Sequence, residues 1–299
     1  MRVLVTGSSG FVGHWMLEHL REAGDDALTL PADLDIRDAK ALARAVERLG
    51  PDAVVHLAAQ ASVGSSWADA TTTFQVNALG TLNLLEAADA LRPRPRVLLV
   101  SSAEIYGVVA AEELPIGEDH ELCPASPYAA SKAAAEMLGL QAWVGRGLEV
   151  VRARPFNHTG PGQRDDFVVP SLARQVARAR HERATTLTTG NLEARRDITD
   201  VRDVVSAYRL LLTRGAPGCA YNVCRGTSVS IAELARRLLG LAGLDAQLAL
   251  DPDKVRPVDQ PDLRGDPSRL VAATGWSPQI GLDRTLADVL DYWVSRDRV

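Results

Sequence analysis

Tyr128 and Lys132 stand four residues apart in "SPYAASKAAAEMLGLQAW" (126–143). Ser126 followed by Pro127 predicts a helix that starts with a hydroxyl cap and a first-turn proline, so the phenol and the ammonium share a face. A phenol ordinarily loses its proton near pH ~10. A neighbouring ammonium favours the phenolate and lowers that value. Such a pair can pass a proton near neutrality while a nicotinamide moves hydride. Alone it reads equally well as a solvated helical pair, but two other stretches keep it company. "SSAEIYG" (101–107) follows an apolar run and offers Ser102 and, two positions on, Glu104. In an extended backbone these two point to one face. "TGSSGFVG" (6–13) spaces Gly7, Gly10 and Gly13 between a first strand and a first helix. Glycines there permit a tight turn and let a pyrophosphate approach backbone N–H groups at a helix N-terminus. The spacing is Gly-x-x-Gly-x-x-Gly, and no Gly-Lys-Ser/Thr follows, which disfavours a phosphate-transferring loop.

The elements that must position these residues alternate through the first half. Apolar runs at 2–7, 27–30, 53–59, 96–102 and 148–154 read as strands. Between them, 11–24, 38–50, 69–91 and 126–143 read as helices, with Asp38 opening one and Gly24 and Gly50 closing two. Nearly continuous apolar strands alternating with helices predict an α/β fold, a doubly wound parallel sheet covered on both faces. The second half is less regular. It offers helices at 170–182, 199–215 and after the Ser230-x-x-Glu233 capping box, with strands at 185–190 and 220–224. The expected organisation is a dinucleotide-binding domain over 1–155, joined by a returning segment at about 193–226. A smaller α/β lobe then takes 156–192 and 227–299.

Bulk properties narrow the partners. The chain has 33 Lys and Arg against 38 Asp and Glu, a net charge of −5, which gives no general attraction to nucleic acid or anionic membranes. Cys123, Cys219 and Cys224 fit neither a zinc pattern nor a disulfide framework and suit a reducing compartment. The start, "MRVLVTG", is too short an apolar run for a signal peptide, and no 18-residue apolar span follows. The expectation is a soluble cytoplasmic protein. His14, His19, His56, His120 and His181 form no ligand pattern, so no metal is expected, and His158 reads as a packing or capping residue. At the tip of the second strand stand Leu30, Pro31 and Ala32. Asp33 comes late for a ribose contact, and no arginine sits there for a 2′-phosphate, so the sequence admits either NADP(H) or NAD(H).

"TGSSGFVG", "HLAAQ", "NALGTLNLLEA", "SSAEIYG" and "YAASK", in this order and spacing, resemble the extended short-chain dehydrogenase/reductases that act on nucleotide sugars. The resemblance runs over essentially the whole chain. It implies a Rossmann-type cofactor domain with a smaller C-terminal substrate lobe. It also implies that Ser102, Tyr128 and Lys132 are catalytic, with Glu104 beside them. The dinucleotide would lie on Gly7, Gly10, Phe11, Val12 and Gly13, with Asp35 and Ile36 flanking the adenine. Leu57, Ala58, Ala59 and Pro155 would line its groove, and Asn77 would orient it. Gln60 would join Ser102 in binding substrate. The family commonly dimerises through the helix carrying Tyr-x-x-x-Lys and the helix before it, so a homodimer is expected.

"RPFNHTGPGQ" (154–163), "GNLEARRDITDVRDVV" (190–205), "YNVC" (221–224) and "RPVDQPDLRGD" (256–266) most resemble GDP-6-deoxy-D-mannose reductases, which reduce a 4-keto sugar to GDP-D-rhamnose. That resemblance implies a GDP-sugar partner. Arg196 and Arg256 would grip the diphosphate, as an acidic protein must by placed guanidiniums. Asn157 and Val169 would complete the substrate site. Two other chemistries and one non-catalytic role use the same scaffold. A nucleotide-sugar 4,6-dehydratase must also remove the C5 proton and expel the C6 hydroxyl, which needs a further acid/base. Related dehydratases carry Thr at the position of Ser102, Glu at that of Glu104 and Asp or Ser between them. Here the middle residue is Ala103, with no proton to give. A 4-epimerase would retain its NAD through turnover, and a non-catalytic dinucleotide sensor would not turn over at all.

Overall fold

The computed structural model describes residues 1–182, 186–254 and 260–296. The first half reads in chain order as β1 (Arg2–Thr6), α1 (Phe11–Glu22), β2 (Asp26–Thr29), α2 (Ala39–Leu49) and β3 (Ala53–His56). It continues with α3 (Val63–Ala68), α4 (Ala70–Phe74), a π-helical turn (Gln75–Leu79), α5 (Gly80–Ala90), β4 (Arg96–Val100), α6 (Pro127–Arg146) and β5 (Val150–Pro155). The second half holds β6 (Asn157–Thr159), α7 (Val168–Glu182), β7 (Thr186–Thr189), β8 (Arg195–Asp200), α8 (Val201–Arg214) and β9 (Ala220–Val223). Last come β10 (Ser228–Ser230), α9 (Ile231–Ala242), β11 (Gln247–Leu250), β12 (Asp262–Leu263), α10 (Ser268–Thr274) and α11 (Leu282–Arg296).

Six strands form one parallel sheet in the order β2-β1-β3-β4-β5-β9. Side chains alternate across it as a two-residue period requires. Val3, Val5, Val55, Leu98 and Val151 face α1 and α8, where Met16, Leu20, Val204 and Tyr208 meet them. Leu4, Val54, Val97, Leu99 and Val150 face the other way, onto Leu42, Val46, Leu84, Leu85 and Ala142 of α2, α5 and α6. From β1 the chain steps outward to β2 and then back across β1 to β3. That reversal opens a crevice at the carboxyl ends of β1 and β3, where ligands bind in doubly wound folds.

The helix boundaries follow their expected signals. Asp38 accepts from the Ala41 N–H and Ser126 from the Ala129 N–H, at 2.9 and 3.1 Å, and Ser230 caps α9 through the Glu233 N–H. The polar run "RRDITD" of β8 was harder to see. It is a nearly buried strand paired with β6, β10 and β12 in a second sheet, while α8 and β9 return to the first. Burial is tolerated because its carboxylates are satisfied. Asp197 accepts the Arg225 and Gly226 N–H groups at 2.9 and 2.8 Å, and Asp200 takes Arg202 and the Thr285 hydroxyl. Helices α7, α9 and α11 close a separate apolar core around Leu172, Leu234, Leu286 and Trp293.

At the crevice, β1 and β3 are joined through a buried imidazole. Thr81 donates its hydroxyl to the Asn77 carbonyl at 2.6 Å, so His56 donates from Nε2 to Thr81 and accepts from Thr6 at Nδ1. Burial, aided by the charge of Lys132, pulls His56 from 6.5 down to about 3, so the ring is neutral. Between pH 6.5 and about 3 the unfolded chain binds a proton here that the folded chain refuses. Stability is therefore full above 6.5 and falls as the pH drops through that window. The denaturant midpoint should fall on moving from neutrality to pH 5, and should fall less in His56→Gln.

Candidate active site

Gly7 ends β1 at φ +69°, and a Cβ there would stand 2.7 Å from the Ala58 nitrogen and 2.9 Å from the Leu57 carbonyl carbon. Only glycine lets the turn lie this close to the end of β3. A Cβ on Gly13 would run into the Gly7 oxygen and the Ser8 backbone, and Gly10 closes the turn by donating its N–H to the Gly7 oxygen at 3.0 Å. The result is a cradle at the N-terminus of α1 that leaves no room for side chains, the kind of turn a diphosphate can approach. Ala58 itself donates to the Thr6 hydroxyl at 3.2 Å, and Val12 and Leu57 pack against the core beneath. Phe11 stacks on His158, with ring centroids 6.4 Å apart and planes 8° from parallel. His158 donates from Nδ1 to the Phe156 oxygen at 3.0 Å, so it both packs and bonds locally.

On the outer side of the cradle, Asn83 of α5 donates to the Ile36 and Arg37 carbonyls at 3.0 and 3.1 Å. Ile36 presses on Gly80 and is buried, whereas Asp35 is exposed and paired with Arg37. Asn77 sits in the π-helical turn, buried. It donates to the Gln60 carbonyl and the Ser131 hydroxyl and accepts the Gln60 N–H, at 3.2, 2.9 and 2.8 Å. The turn thereby ties the segment Ala59–Gln60 to α6, and Gln60 adds a contact of its own from the Thr73 hydroxyl.

Strand β4 ends at Val100, so the two-residue alternation expected to align Ser102 with Glu104 does not operate. Ser102 instead caps a 3-10 turn over Ala103–Tyr106 and accepts the Glu104 N–H at 3.2 Å. Both still converge on Tyr128. The Ser102 hydroxyl and the Glu104 carboxylate both lie within electrostatic reach of the phenol. Lys132 is buried and donates to the Val100 carbonyl at 2.6 Å. The expected depression of the phenol by the ammonium is not found, since Lys132 is not among the groups that shift Tyr128. Burial pushes Tyr128 up to about 12, with Ser102 pulling down and Glu104 pushing further up. Burial pulls Lys132 down to about 8.

Pro155 ends β5, and Asn157 follows it in β6 with a buried Oδ1 that has no hydrogen-bond partner among the described residues. An unsatisfied buried carbonyl of this kind fits a ligand donor. Arg196 is buried in β8 and donates from Nη1 to the Arg195 and Gln260 carbonyls, both at 2.8 Å. Val169 buries its side chain in the core of the second lobe, which leaves its backbone at the first turn of α7 as the part able to meet a ligand. Arg256 lies outside the described residues. Sequence reasoning missed the Thr6–His56–Thr81 link, Ser131 and the pinning role of Asn83. Their signal lay in "TGSSGFVG", "HLAAQ", "NALGTLNLLEA" and "YAASK", where His56 reads on its own only as a possible metal ligand. Among the described residues no group of three or more His, Cys, Asp or Glu is placed to hold a metal ion, and no helix is long and apolar enough to cross a membrane.

A strand-order reversal flanked by a glycine turn and a buried Tyr–Lys helix is the arrangement of short-chain dehydrogenase/reductases, and the second lobe makes this the extended class. The model of the family described as "GDP-mannose 4,6 dehydratase" matches residues 31–289, and the chain belongs to that family. It is 42% identical over 300 residues to GDP-6-deoxy-D-mannose reductase of Pseudomonas aeruginosa, spanning 99% of this chain and 98% of that protein. It is 30% identical to GDP-6-deoxy-D-talose 4-dehydrogenase of Aggregatibacter actinomycetemcomitans, covering 92% of each. The structure of RMD from Pseudomonas aeruginosa complexed with NADPH superposes with a TM-score of 0.90 at 41% identity, over 99% of this chain and 100% of that one.

Gly13→Ala should fold poorly or lose dinucleotide affinity, because the added methyl meets backbone atoms that cannot move aside. Titration of NADPH fluorescence with the variant, against wild type, checks this.

Proposed function

We propose that the protein is an NAD(P)H-dependent nucleotide-sugar reductase. It reduces the C4 keto group of GDP-4-keto-6-deoxy-D-mannose to give GDP-D-rhamnose. The observation that carries the reading is the whole-chain likeness to a GDP-6-deoxy-D-mannose reductase. The buried methyl of Ala103, where a dehydratase needs a polar partner for Glu104, agrees with it.

The six-stranded unit would hold the cofactor and the second lobe the nucleotide sugar, with Asn157, Arg196 and Arg256 on the GDP-sugar. A nicotinamide dinucleotide, NADPH or NADH, laid along the glycine cradle supplies the hydride for C4. Tyr128 gives its proton to the alkoxide that develops at O4. With its pKa near 12, the phenol is protonated at neutral pH, as an acid in reduction must be. Ser102 donates to the same oxygen. Lys132, at about 8, is mostly an ammonium at pH 7 and holds Tyr128 and the cofactor ribose. Glu104 disfavours the phenolate and so keeps the proton on Tyr128 until the alkoxide demands it.

With GDP-4-keto-6-deoxy-mannose, NADPH should be oxidised and GDP-rhamnose formed, while GDP-mannose with NADP+ should give no 4-keto product. Tyr128→Phe should lose about 10²–10⁴ in rate, and Glu104→Gln should keep C4 reduction. Dehydration of GDP-mannose, or binding of NADPH without turnover on any 4-keto nucleotide sugar, would replace this reading with the dehydratase or the sensor.

A homodimer fits the apolar face that α4, the π-helical turn and α6 leave uncovered. Phe74, Leu79, Met137 and Val144 are exposed there at 47, 46, 41 and 75%. The free thiols Cys123, Cys219 and Cys224 suit the cytoplasm. Sedimentation should give a dimer for wild type and a monomer for Phe74→Glu/Leu79→Glu.

A further inference from the structure

Glu136 lies one helical turn beyond Lys132 on α6 and is fully buried. Its carboxylate accepts from Arg154 Nε at 3.0 and 3.1 Å, from Arg154 Nη2 at 2.6 Å and from Arg152 Nη1 at 3.0 Å. The two arginines are alternate residues of β5 and so point to one face, toward α6. Arg154 donates further to Tyr106 Oη and the Glu118 carbonyl, at 2.8 and 2.7 Å, and Tyr106 donates to Asn222 Oδ1 at 2.7 Å. Arg152 reaches the Gly218 carbonyl at 2.8 Å.

Packing alone does not call for these charges, since apolar residues of equal volume stabilise an interior at least as well as a buried ion pair. What the cluster adds is a carboxylate on the face of α6 that carries Lys132 and Tyr128. We propose that Glu136 is a positioning residue for the reaction: its charge keeps Lys132 an ammonium, and Arg152 and Arg154 set how much of that charge Lys132 feels. The inference rests on the reading of Lys132 as the group that holds the cofactor ribose and Tyr128.

The surroundings of Lys132 leave this assignment little competition. From β4 it meets the neutral Val100 carbonyl, and from β3 the neutral His56. The 3-10 turn brings Ser102 and Glu104, which face Tyr128. The π-helical turn brings Asn77, and α3 and α4 carry no charged residue. Of the carboxylates on α5, Glu86 is exposed and Asp89 pairs with Arg94 and Arg146 at 3.0 and 3.7 Å. Burial drives Lys132 down, and Glu136 is the group that pushes it back up.

Glu136→Gln removes the charge and nearly keeps the shape. The alkaline limb of kcat/KM for NADPH, and of NADPH binding followed by fluorescence, should then move to lower pH by about one unit, the size expected for one charge a helical turn away. Arg152→Gln leaves the Glu136–Arg154 pair and removes a positive charge, so its limb should move to higher pH. Glu136→Asp should restore the wild-type limb. Opposite shifts from the two variants are a signature that loosened packing does not produce. Should Glu136→Gln fail to fold, Arg152→Gln decides alone, and an unmoved or lowered limb there overturns the inference. If wild type reduces no 4-keto sugar, the functional reading fails while the NADPH-binding profiles still test Glu136. If wild type turns over and both limbs stay put, the inference fails and the reading stands.

Discussion

Desolvation of one helix face governs this structure. Along α6, every fourth residue from Tyr128 through Lys132 to Glu136 carries a polar or ionisable group, and all three are buried against the sheet. None could stay there unpartnered without a large cost. The Val100 carbonyl and the two guanidiniums of β5 are therefore conditions of the fold as much as parts of a site. Because β4 and β5 supply those partners, the order of strands in the sheet and the chemistry at the end of the crevice are fixed together. The same burial sets proton affinities, holding the phenol protonated and bringing the ammonium within reach of neutral pH.

The two lobes meet where the cradle must respond to the substrate side. Phe11, at the first position of α1, stacks on His158 of β6. One turn on, Trp15 donates to the Pro161 carbonyl at 3.1 Å and lies under Arg202, whose guanidinium joins Asp200 to Asp288 of α11. Gly160 fits against Val201 and Phe11 with no room for a Cβ. The helix behind the glycine turn is thus also a wall of the second lobe. Beneath the 3-10 turn, Ala103, Tyr106, Ile116, Phe156, Cys224 and Leu263 form a small apolar cluster drawn from both halves of the chain. The turn carrying Ser102 and Glu104 consequently rests on residues that the second half must fold to provide.

Much of the first half was legible because its signals are local. The glycine spacing, the Asp38 and Ser126 caps and the alternation of apolar runs each depend on a few adjacent residues, and the structure places each as read. The second half was less legible because its strands are stabilised by distant partners. "RRDITD" reads as part of the segment returning to the first domain, yet it is a strand of the second sheet, held where Asp197 meets the backbone of Arg225 and Gly226, 28 and 29 residues away. The link at His56 was hidden for the same reason, since Thr6 and Thr81 come from 50 and 25 residues away. The direction of Glu104 was argued from a strand period that ends at Val100, and the residue reaches Tyr128 through a capped turn instead.

That turn also bears on which chemistry the scaffold favours. Reduction of a ketone consumes a proton, so the group beside the carbonyl must hold one at working pH and release it only to an alkoxide. Oxidation of an alcohol, the opening step of dehydration or epimerisation, asks the same group to start as a base. Here burial and the Glu104 charge both act to keep the proton on Tyr128, and Ser102 pulls the other way. Ala103 adds a methyl packed into the small apolar cluster, where it can neither relay a proton to Glu104 nor stabilise a second charge. A carboxylate so placed raises the proton affinity of its neighbour more readily than it abstracts a proton itself. Within this turn it is the methyl of Ala103, and not the charge of Glu104, that tells against elimination.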